Sequence, residues 1–290
     1  MKTIEVVLSY YIKIISLFSI QKASAFTFQL FQKTQPRKML ADEVEFYATT
    51  KHYTIANAIE PIEIYTKGDK NGEVVFMLHG WNSNLARLRS FAKILAEQGY
   101  YCVLFDMPGH GKSILKSSNL KMNSVVFEAV IEHINTQSEF SVLTHSFGSM
   151  VASYTLARKN YYINQLFFLT SLNQFEPFFK ELKSRLRLSK KLMTRIIEMG
   201  GDLLEEPVEQ LIVKEKVKTM KYKNLSVFHD KNDKILPHSY SELLVSEVPN
   251  AKLFSYENIG HSNMLQNKEL LADFEKLVKE KRHDFIRHDA

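Results

Sequence analysis

From about Tyr53 onward, the sequence alternates short apolar runs with longer segments of helical spacing, and this alternation limits the fold more than any other feature. The runs at 73–78, 101–105 and 140–143 are rich in β-branched and aromatic residues, which predicts buried strands. Strands that alternate with helices predict a mostly parallel central sheet covered by helices on both faces. We therefore expect an α/β fold.

One segment lacks the strand pattern. Between Asn173 and Lys223 the spacing is helical, and Gly200-Gly201 is expected to break one helix from the next. We interpret residues 173–222 as a helical lid inserted over the carboxyl edge of the sheet. The alternative is two ordinary sheet-layer helices with long loops, which are uncommon in compact domains. Residues 51–172 and 223–290 would then form the core, preceded by an extension at 1–50.

The extension begins with an apolar stretch that Glu5 and Lys13 interrupt. These polar residues recur at helical spacing with Ser9 and Ser16, so the stretch predicts an amphipathic helix with a wide apolar face. Three interpretations stay open for this helix. It packs on its own domain or on a second subunit, it contacts a membrane surface peripherally, or it is a cleaved secretion signal.

Charge and cysteine content narrow the class of protein. The 290 residues carry a net charge of +6, but the excess is diffuse and no nucleic-acid-binding motif accompanies it, so we expect no nucleic-acid partner. The single cysteine, Cys102, lies in an apolar run and cannot form an internal disulfide. We expect a buried thiol and a cytoplasmic protein, with membrane-peripheral attachment as a variant of that location.

A candidate nucleophile follows the run at 140–143. Thr144-His145-Ser146-Phe147-Gly148 lies between a predicted strand and a predicted helix. A serine on a sharp strand–turn–helix is exposed at the sheet edge, where a base can reach it. Gly148 fits this geometry, whereas Thr144 stands where close packing of strand and helix usually favours glycine.

A candidate acid and a candidate base follow later strands. Asp233 lies in the loop after the strand near 225–229, with Asp230 as the rival acid, and His261 follows the last strand. Carboxyl ends of parallel strands meet at one sheet edge, so we expect Ser146, Asp233 and His261 to lie together. A histidine there can take the serine proton, and an aspartate can orient that histidine.

A fourth stretch, His79-Gly80-Trp81, follows the run at 73–78. A loop at this position can present a backbone N–H to the negative charge that develops in acyl transfer. The expected donors are the N–H groups of Trp81 and Phe147. The side chain of His79 is expected to brace the loop.

Together these residues resemble the α/β-hydrolase superfamily, from about Val74 to the C-terminus. The resemblance rests on the four stretches above and on the segment Asp106-Met107-Pro108-Gly109-His110-Gly111-Lys112-Ser113, a specific marker of the superfamily. The order of the segments is similar to bacterial carboxylesterases and monoacylglycerol-lipase-like enzymes with a short helical lid. Asp106 and His110 are interpreted as structural, because Gly and Pro make this segment a turn.

The resemblance implies a serine hydrolase that cleaves a carboxylic ester of a small-molecule substrate through an acyl-enzyme intermediate. A thioesterase, an amidase or peptidase, and an acyltransferase can use the same triad, and a non-catalytic binding protein can retain the scaffold. Phe175, Phe178 and Phe179 in the predicted lid suggest an apolar wall for the acyl group. No cofactor or metal is expected, since the histidines lack close ligand spacing.

Overall fold

The computed structural model describes residues 3–134 and 139–288; the parts of the predicted domains at 1–2, 135–138 and 289–290 lie outside it. Its centre is an eight-stranded sheet with the order β1-β2-β4-β3-β5-β6-β7-β8. The strands are β1 (Lys51–Ile55), β2 (Ile62–Gly68), β3 (Val74–Leu78), β4 (Tyr101–Phe105), β5 (Phe140–Ser146), β6 (Tyr162–Ser171), β7 (Lys221–Asp230) and β8 (Ala251–Tyr256). β2 runs antiparallel to both of its neighbours, β1 and β4, and the other neighbouring strands are parallel, so the predicted mostly parallel sheet is confirmed.

Alternate residues of the central strands bury their side chains on opposite faces of the sheet, as the period of two requires. In β3, Phe76 and Leu78 join one core, while Val75 and Met77 join the other. Both faces are covered, which explains why β3 and β4 are apolar throughout rather than alternating with polar residues.

Helices form the two outer layers and the segments at the carboxyl edge. They are α1 (Thr3–Phe18), α2 (Ile20–Phe31), α3 (Ala41–Thr49), α4 (Arg89–Glu97), α5 (Leu120–Ile134), α6 (Phe147–Leu156), α7 (Glu176–Arg185), α8 (Lys190–Leu204), α9 (Val213–Thr219), α10 (His238–Glu247) and α11 (Lys268–His288). One core takes side chains from α5, α6, α9 and α10, and the other takes them from α3, α4 and α11. Within the described ranges, no helix is both long and apolar enough to cross a bilayer.

Four helices, α1, α2, α7 and α8, form a separate small core, and we call them the helical cap. Its buried members include Ile12 of α1, Ala23 of α2, and Leu192 and Ile196 of α8. The helix predicted near the start of the chain is therefore α1, and its inner side packs on helices of the predicted lid. The extension also supplies α2, which the sequence pattern did not predict.

The expected break at Gly200-Gly201 is wrong, because α8 continues through both glycines to Leu204. Neither glycine has a positive φ. A Cβ atom on Gly200 would lie 3.0 Å from Cγ2 of Val208, so this glycine lets the following segment pack closely against the helix. Close packing rather than helix termination accounts for a small residue here.

Candidate active site

Ser146 lies at the junction of β5 and α6, in a backbone conformation that residues other than glycine rarely adopt. Its φ is 52° and its ψ is −117°, which is the strained geometry of a sharp strand-to-helix turn. A Cβ on Gly148 would lie 2.6 Å from the carbonyl oxygen of Leu78, so only glycine fits two residues after the serine. The turn presents the Ser146 hydroxyl at the carboxyl edge of the sheet.

Thr144 departs from the usual glycine without disturbing this turn. It lies within β5, pairs with Leu78 of β3 and Phe168 of β6, and is fully buried. Its φ is not positive, so the backbone there makes no demand that only glycine can meet. Its hydroxyl oxygen has no hydrogen-bond partner among the described residues.

The structure brings Ser146, His261 and Asp233 together in a continuous chain of hydrogen bonds. Nε2 of His261 lies 3.0 Å from Oγ of Ser146, and Nδ1 of His261 lies 2.7 Å from Oδ2 of Asp233. In this arrangement Nδ1–H donates to the carboxylate, which leaves Nε2 free to accept the serine proton. The three side chains thus have the geometry of a nucleophile, a base and an orienting acid.

Asp233 is held by more groups than His261 alone. Its carboxylate also accepts the backbone N–H groups of Ile235 and Leu236, and Nε2 of buried His229 lies 3.5 Å away. Burial by itself would raise the pKa of Asp233. The hydrogen bonds from His229 and His261 outweigh burial, and the pKa of Asp233 is lowered below its usual range.

The rival acid, Asp230, makes different contacts. Its carboxylate accepts backbone N–H groups from Asn232 and Gly260. It therefore ties the loop that carries Asp233 to the loop that carries His261, without touching the imidazole. Among the described residues, the carboxylate that contacts His261 is that of Asp233.

Trp81 and Phe147, whose N–H groups are the predicted oxyanion donors, line the same cavity as Ser146. Phe147 is the first residue of α6, where a backbone N–H has no partner within the helix. The N–H of Trp81 donates no hydrogen bond within the part of the chain that the structure describes. The rings of Trp81 and Phe147 meet edge to face at 5.2 Å, so the two loops are packed against each other.

His79 fixes the loop that carries Trp81. Its Nδ1 lies 2.8 Å from the carbonyl oxygen of Gly80, and its Nε2 accepts the backbone N–H of Met107 at 3.1 Å. Burial lowers the pKa of His79 to about 4, so the ring is neutral at physiological pH. A neutral ring can donate from one nitrogen and accept at the other, as both bonds require.

His145, directly before Ser146, contacts His261, and the sequence analysis did not predict this contact. Its Nε2 lies 3.1 Å from the backbone carbonyl oxygen of His261, and the two rings are 5.0 Å apart. Burial, followed by the nearby His261, lowers the pKa of His145 to about 3. A neutral His145 donates from Nε2 to this carbonyl and positions the backbone of the base. No sequence motif marks such a role.

The segment that starts at Asp106 has a structural role, because the Asp106 carboxylate joins several segments by hydrogen bonds. The buried Asp106 carboxylate accepts the hydroxyl of Tyr47 and the backbone N–H groups of Leu85 and Lys112. Burial raises the pKa of Asp106 to about 6. A Cβ on Gly111 would lie 2.1 Å from the carboxylate group, so glycine is required where the turn closes on it.

A second buried carboxylate, that of Glu43 in α3, lies close to three guanidinium groups. It forms an ion pair with Arg37 and lies within 3.7 Å of Arg87 and 4.0 Å of Arg89. It also accepts the side-chain amide of Asn84, in the loop after Trp81. Residues of the extension therefore support the loop that carries Trp81, one of the two predicted oxyanion donors.

A cavity of about 680 Å³ opens above Ser146, between the sheet edge and the helical cap. Aromatic side chains from the cap and from the segment that leads into α7 contribute to its wall: Phe28, Phe31, Phe175, Phe178 and Phe179. The polar contributors beside the triad include Arg37 and Arg87, and no carboxylate of a described residue lines the cavity. The volume and apolar lining are typical of a small-molecule site.

Comparisons with known proteins agree with this architecture. Residues 69–199 match the family described as serine aminopeptidase, S33. The fold is similar to a putative lipase from Acinetobacter baumannii AYE, with 15% identity, a TM-score of 0.64, and coverage of 86% of this chain and 99% of that one. No curated protein sequence matches the chain.

Two further solved structures are similar. The Pyrococcus furiosus esterase Pf2001 has 15% identity and a TM-score of 0.63, covering 88% of this chain and 98% of its own. Est1E from Butyrivibrio proteoclasticus has 17% identity and a TM-score of 0.60, covering 79% and 98%. These structures show that the chain has the α/β-hydrolase fold, and the family match lies within the part of the chain that forms this fold.

Proposed function

We propose that the protein is a serine hydrolase that cleaves carboxylic esters with an apolar acyl group. The observation that carries this proposal is the hydrogen-bonded chain from Ser146 through His261 to Asp233 at the base of the aromatic-walled cavity. This geometry supports the proposal that the three residues form a catalytic triad. A cytoplasmic location, at or near a membrane surface, remains part of the proposal.

The reaction follows from the positions of these groups. Oγ of Ser146 attacks the ester carbonyl carbon while Nε2 of His261 takes the hydroxyl proton. The N–H groups of Trp81 and Phe147 stabilise the oxyanion, and the ionised Asp233 stabilises the imidazolium. His261 returns the proton to the departing alcohol. Water then attacks the acyl-enzyme by the same route and releases the acid.

The cavity lining favours an ester with an apolar acyl group over an aminopeptidase substrate. A free α-ammonium group buried beside the reacting carbonyl needs a carboxylate partner, because an unpaired buried charge is costly. The cavity lining contains no carboxylate within the described ranges and includes two arginines. Six phenylalanines, with Phe147 among them, line the cavity and suit a hydrocarbon acyl chain.

A fluorophosphonate probe and a graded substrate panel test the proposal. We expect the probe to label Ser146 and the Ser146→Ala variant to remain unlabelled. Among p-nitrophenyl esters, kcat/KM is expected to rise from acetate toward longer acyl chains, and to exceed the values for matched anilides. A folded wild-type protein that never labels would favour a non-catalytic binding role, and faster cleavage of anilides or thioesters would assign the triad to those bonds.

A further inference from the structure

The outer face of α1 exposes an unusual amount of apolar surface. Seven of the fourteen exposed large hydrophobic side chains among the described residues belong to this one helix: Ile4, Val7, Tyr10, Tyr11, Ile14, Leu17 and Phe18. Leu17 is 77% exposed and Phe18 is 86% exposed. At 3.6 residues per turn the seven fall within an arc of roughly 140°, and that arc contains no charged residue.

This exposed face is not needed to attach α1 to the rest of the fold. The opposite side of the helix supplies Ile12, which is 1% exposed, together with Leu8 and Ile15. These residues pack in the core of the helical cap against Met193 and Ile196. Apart from Tyr11, whose ring packs on Phe26, the outer apolar arc lies outside this core, and large exposed apolar patches mark interaction sites.

A basic segment of the cap lies beside the apolar arc. Residues 183–195 contain six lysines and arginines and no acidic residue. Arg185 pairs with Glu5 and Glu181, and Arg195 faces Glu198 and Asp202. The other four basic side chains are exposed and have no ion-pair partner within the described residues: Lys183, Arg187, Lys190 and Lys191.

The cations and the apolar residues share one surface. Leu17, Phe18 and Ile20 line a shallow depression together with Lys190 and Lys191 at the start of α8. Arg195 and Glu198 also line it, and they form an ion pair with each other. Apolar side chains can enter the boundary between headgroups and acyl chains, while neighbouring lysines contact anionic headgroups. Two tyrosines on the same helix suit this interface, because their rings are apolar and their hydroxyls are polar.

We propose that the outer face of α1, with the adjacent Lys190 and Lys191, docks the protein on an anionic phospholipid membrane surface. The charge pattern favours a membrane over a second copy of the chain. A twofold pairing with its axis near Leu17 and Phe18 would bring Lys190 and Lys191 close to their own equivalents, and like charges repel. The proposal does not depend on the ester reaction, since docking involves no residue of the triad or the cavity wall.

Vesicle flotation of the full chain tests the docking. We expect binding to vesicles of phosphatidylcholine with phosphatidylglycerol, weaker binding to phosphatidylcholine alone, and loss of binding at high salt. The double variant Lys190→Gln/Lys191→Gln should lower the partition coefficient for anionic vesicles roughly 25-fold, at about fivefold for each cation. The double variant Leu17→Ser/Phe18→Ser should lower it by about 100-fold.

Matched controls change the same residue types on other surfaces. The variants Leu243→Ser/Tyr162→Ser and Lys51→Gln/Lys70→Gln should bind vesicles as the wild type does. All variants should keep the wild-type melting temperature. Equal binding by every variant, or no binding by the wild type, would overturn the proposal. A concentration-dependent dimer in light scattering, abolished by Leu17→Ser/Phe18→Ser and accompanied by no vesicle binding, would assign this face to a second copy instead.

Discussion

Asp233 lies between two histidines, and the contrast between them explains its role. His261 faces the cavity and is only partly buried, whereas His229 is fully buried behind the carboxylate. Nδ1 of His229 lies 2.6 Å from the Ser241 hydroxyl, and its Nε2 lies 3.2 Å from the carbonyl oxygen of Leu236. His229 therefore holds the loop in place, while the lowered pKa of Asp233 keeps the carboxylate ionised whenever His261 gains a proton.

The two aspartates of this loop give a matched pair of variants. Asp233→Asn should lower kcat for a p-nitrophenyl ester by about 10³- to 10⁴-fold, because an amide no longer stabilises the imidazolium and favours the wrong tautomer. Asp230→Asn removes only loop hydrogen bonds and should stay within about tenfold of the wild type. Steady-state kinetics of both variants decide the assignment. The reverse order of effects would make Asp230 the acid.

The closeness of the three proposed triad residues was predictable because each one lies at or just after the end of a strand, and the carboxyl ends of parallel strands meet at one edge. The same reasoning could not find His145 or His229. Their roles depend on which backbone carbonyls and hydroxyls lie beside them after folding, and no local pattern encodes those contacts. The choice between Asp230 and Asp233 also needed coordinates, since both lie in the same short loop.

At the scale of elements, the hydrophobic pattern was enough to predict the strands. It was not enough to predict that the extension contributes a helix to the cavity wall. The alternation of apolar runs with helices predicted the sheet, because central strands are buried on both faces. By contrast, α2 is mixed in composition, and its part in the cavity wall comes from tertiary packing. The glycines of α8 misled the prediction because glycine also permits close packing, which sequence alone does not distinguish from a helix end.

The cavity wall formed by α2 leads to a prediction about acyl-chain preference. The ring centroids of Phe31 and Phe179 are 5.9 Å apart, and both residues line the cavity. Phe31→Ala should lower kcat/KM roughly tenfold for a long-chain p-nitrophenyl ester, because apolar contact to the acyl chain is lost. The acetate ester, which does not reach this wall, should change less than about twofold.

The matched control for Phe31 is Phe26 on the same helix. Phe26 packs edge to face on Tyr11 of α1 at 5.1 Å and does not line the cavity. Phe26→Ala should leave the preference between long and short esters unchanged, even if it lowers the stability of the cap. An equal loss for both ester lengths in Phe31→Ala would show that the variant disturbs the triad rather than the acyl site.

The cluster around Glu43 gives a prediction about stability. Glu43→Gln leaves three neighbouring guanidinium groups without their shared buried carboxylate and should lower the free energy of unfolding by about 3–5 kcal/mol. Asp42→Asn is the control, since its side chain is half exposed and pairs with Arg89 alone, so the cost should be about 0–1 kcal/mol. Urea unfolding measures both. Equal costs would contradict a central role for Glu43.

At the scale of the whole molecule, three buried neutral histidines make stability depend on pH. Burial is the first cause of the lowered pKa in each case, to about 4 for His79 and to about 3 for His110 and His145. The unfolded chain binds protons at these rings near pH 6.5, and the folded protein does not until the pH is far lower. Their contribution to stability is therefore complete above pH 6.5 and is lost as the pH falls toward 4 and 3.

The measurement is the free energy of unfolding between pH 7 and pH 5. We expect it to fall with decreasing pH, by up to about 1.4 kcal/mol per pH unit for each of these histidines. His110→Asn should remove one such contribution, since its amide can still donate to the Pro108 carbonyl oxygen. His133→Asn, at an exposed ring, should leave the slope unchanged. A flat profile across this range would contradict the burial argument.

One side of α2 lines the cavity and another side packs on α1, so two sets of contacts constrain its sequence. A substitution in α2 that changes the shape of the cavity wall is therefore expected to shift α1 as well, the helix that carries the apolar arc. Changes in the cavity wall are therefore expected to accumulate at Phe175 and Phe178, which line the cavity but do not pack in the core of the helical cap. In related chains, the residues of α2 that line the cavity should vary less than these two positions.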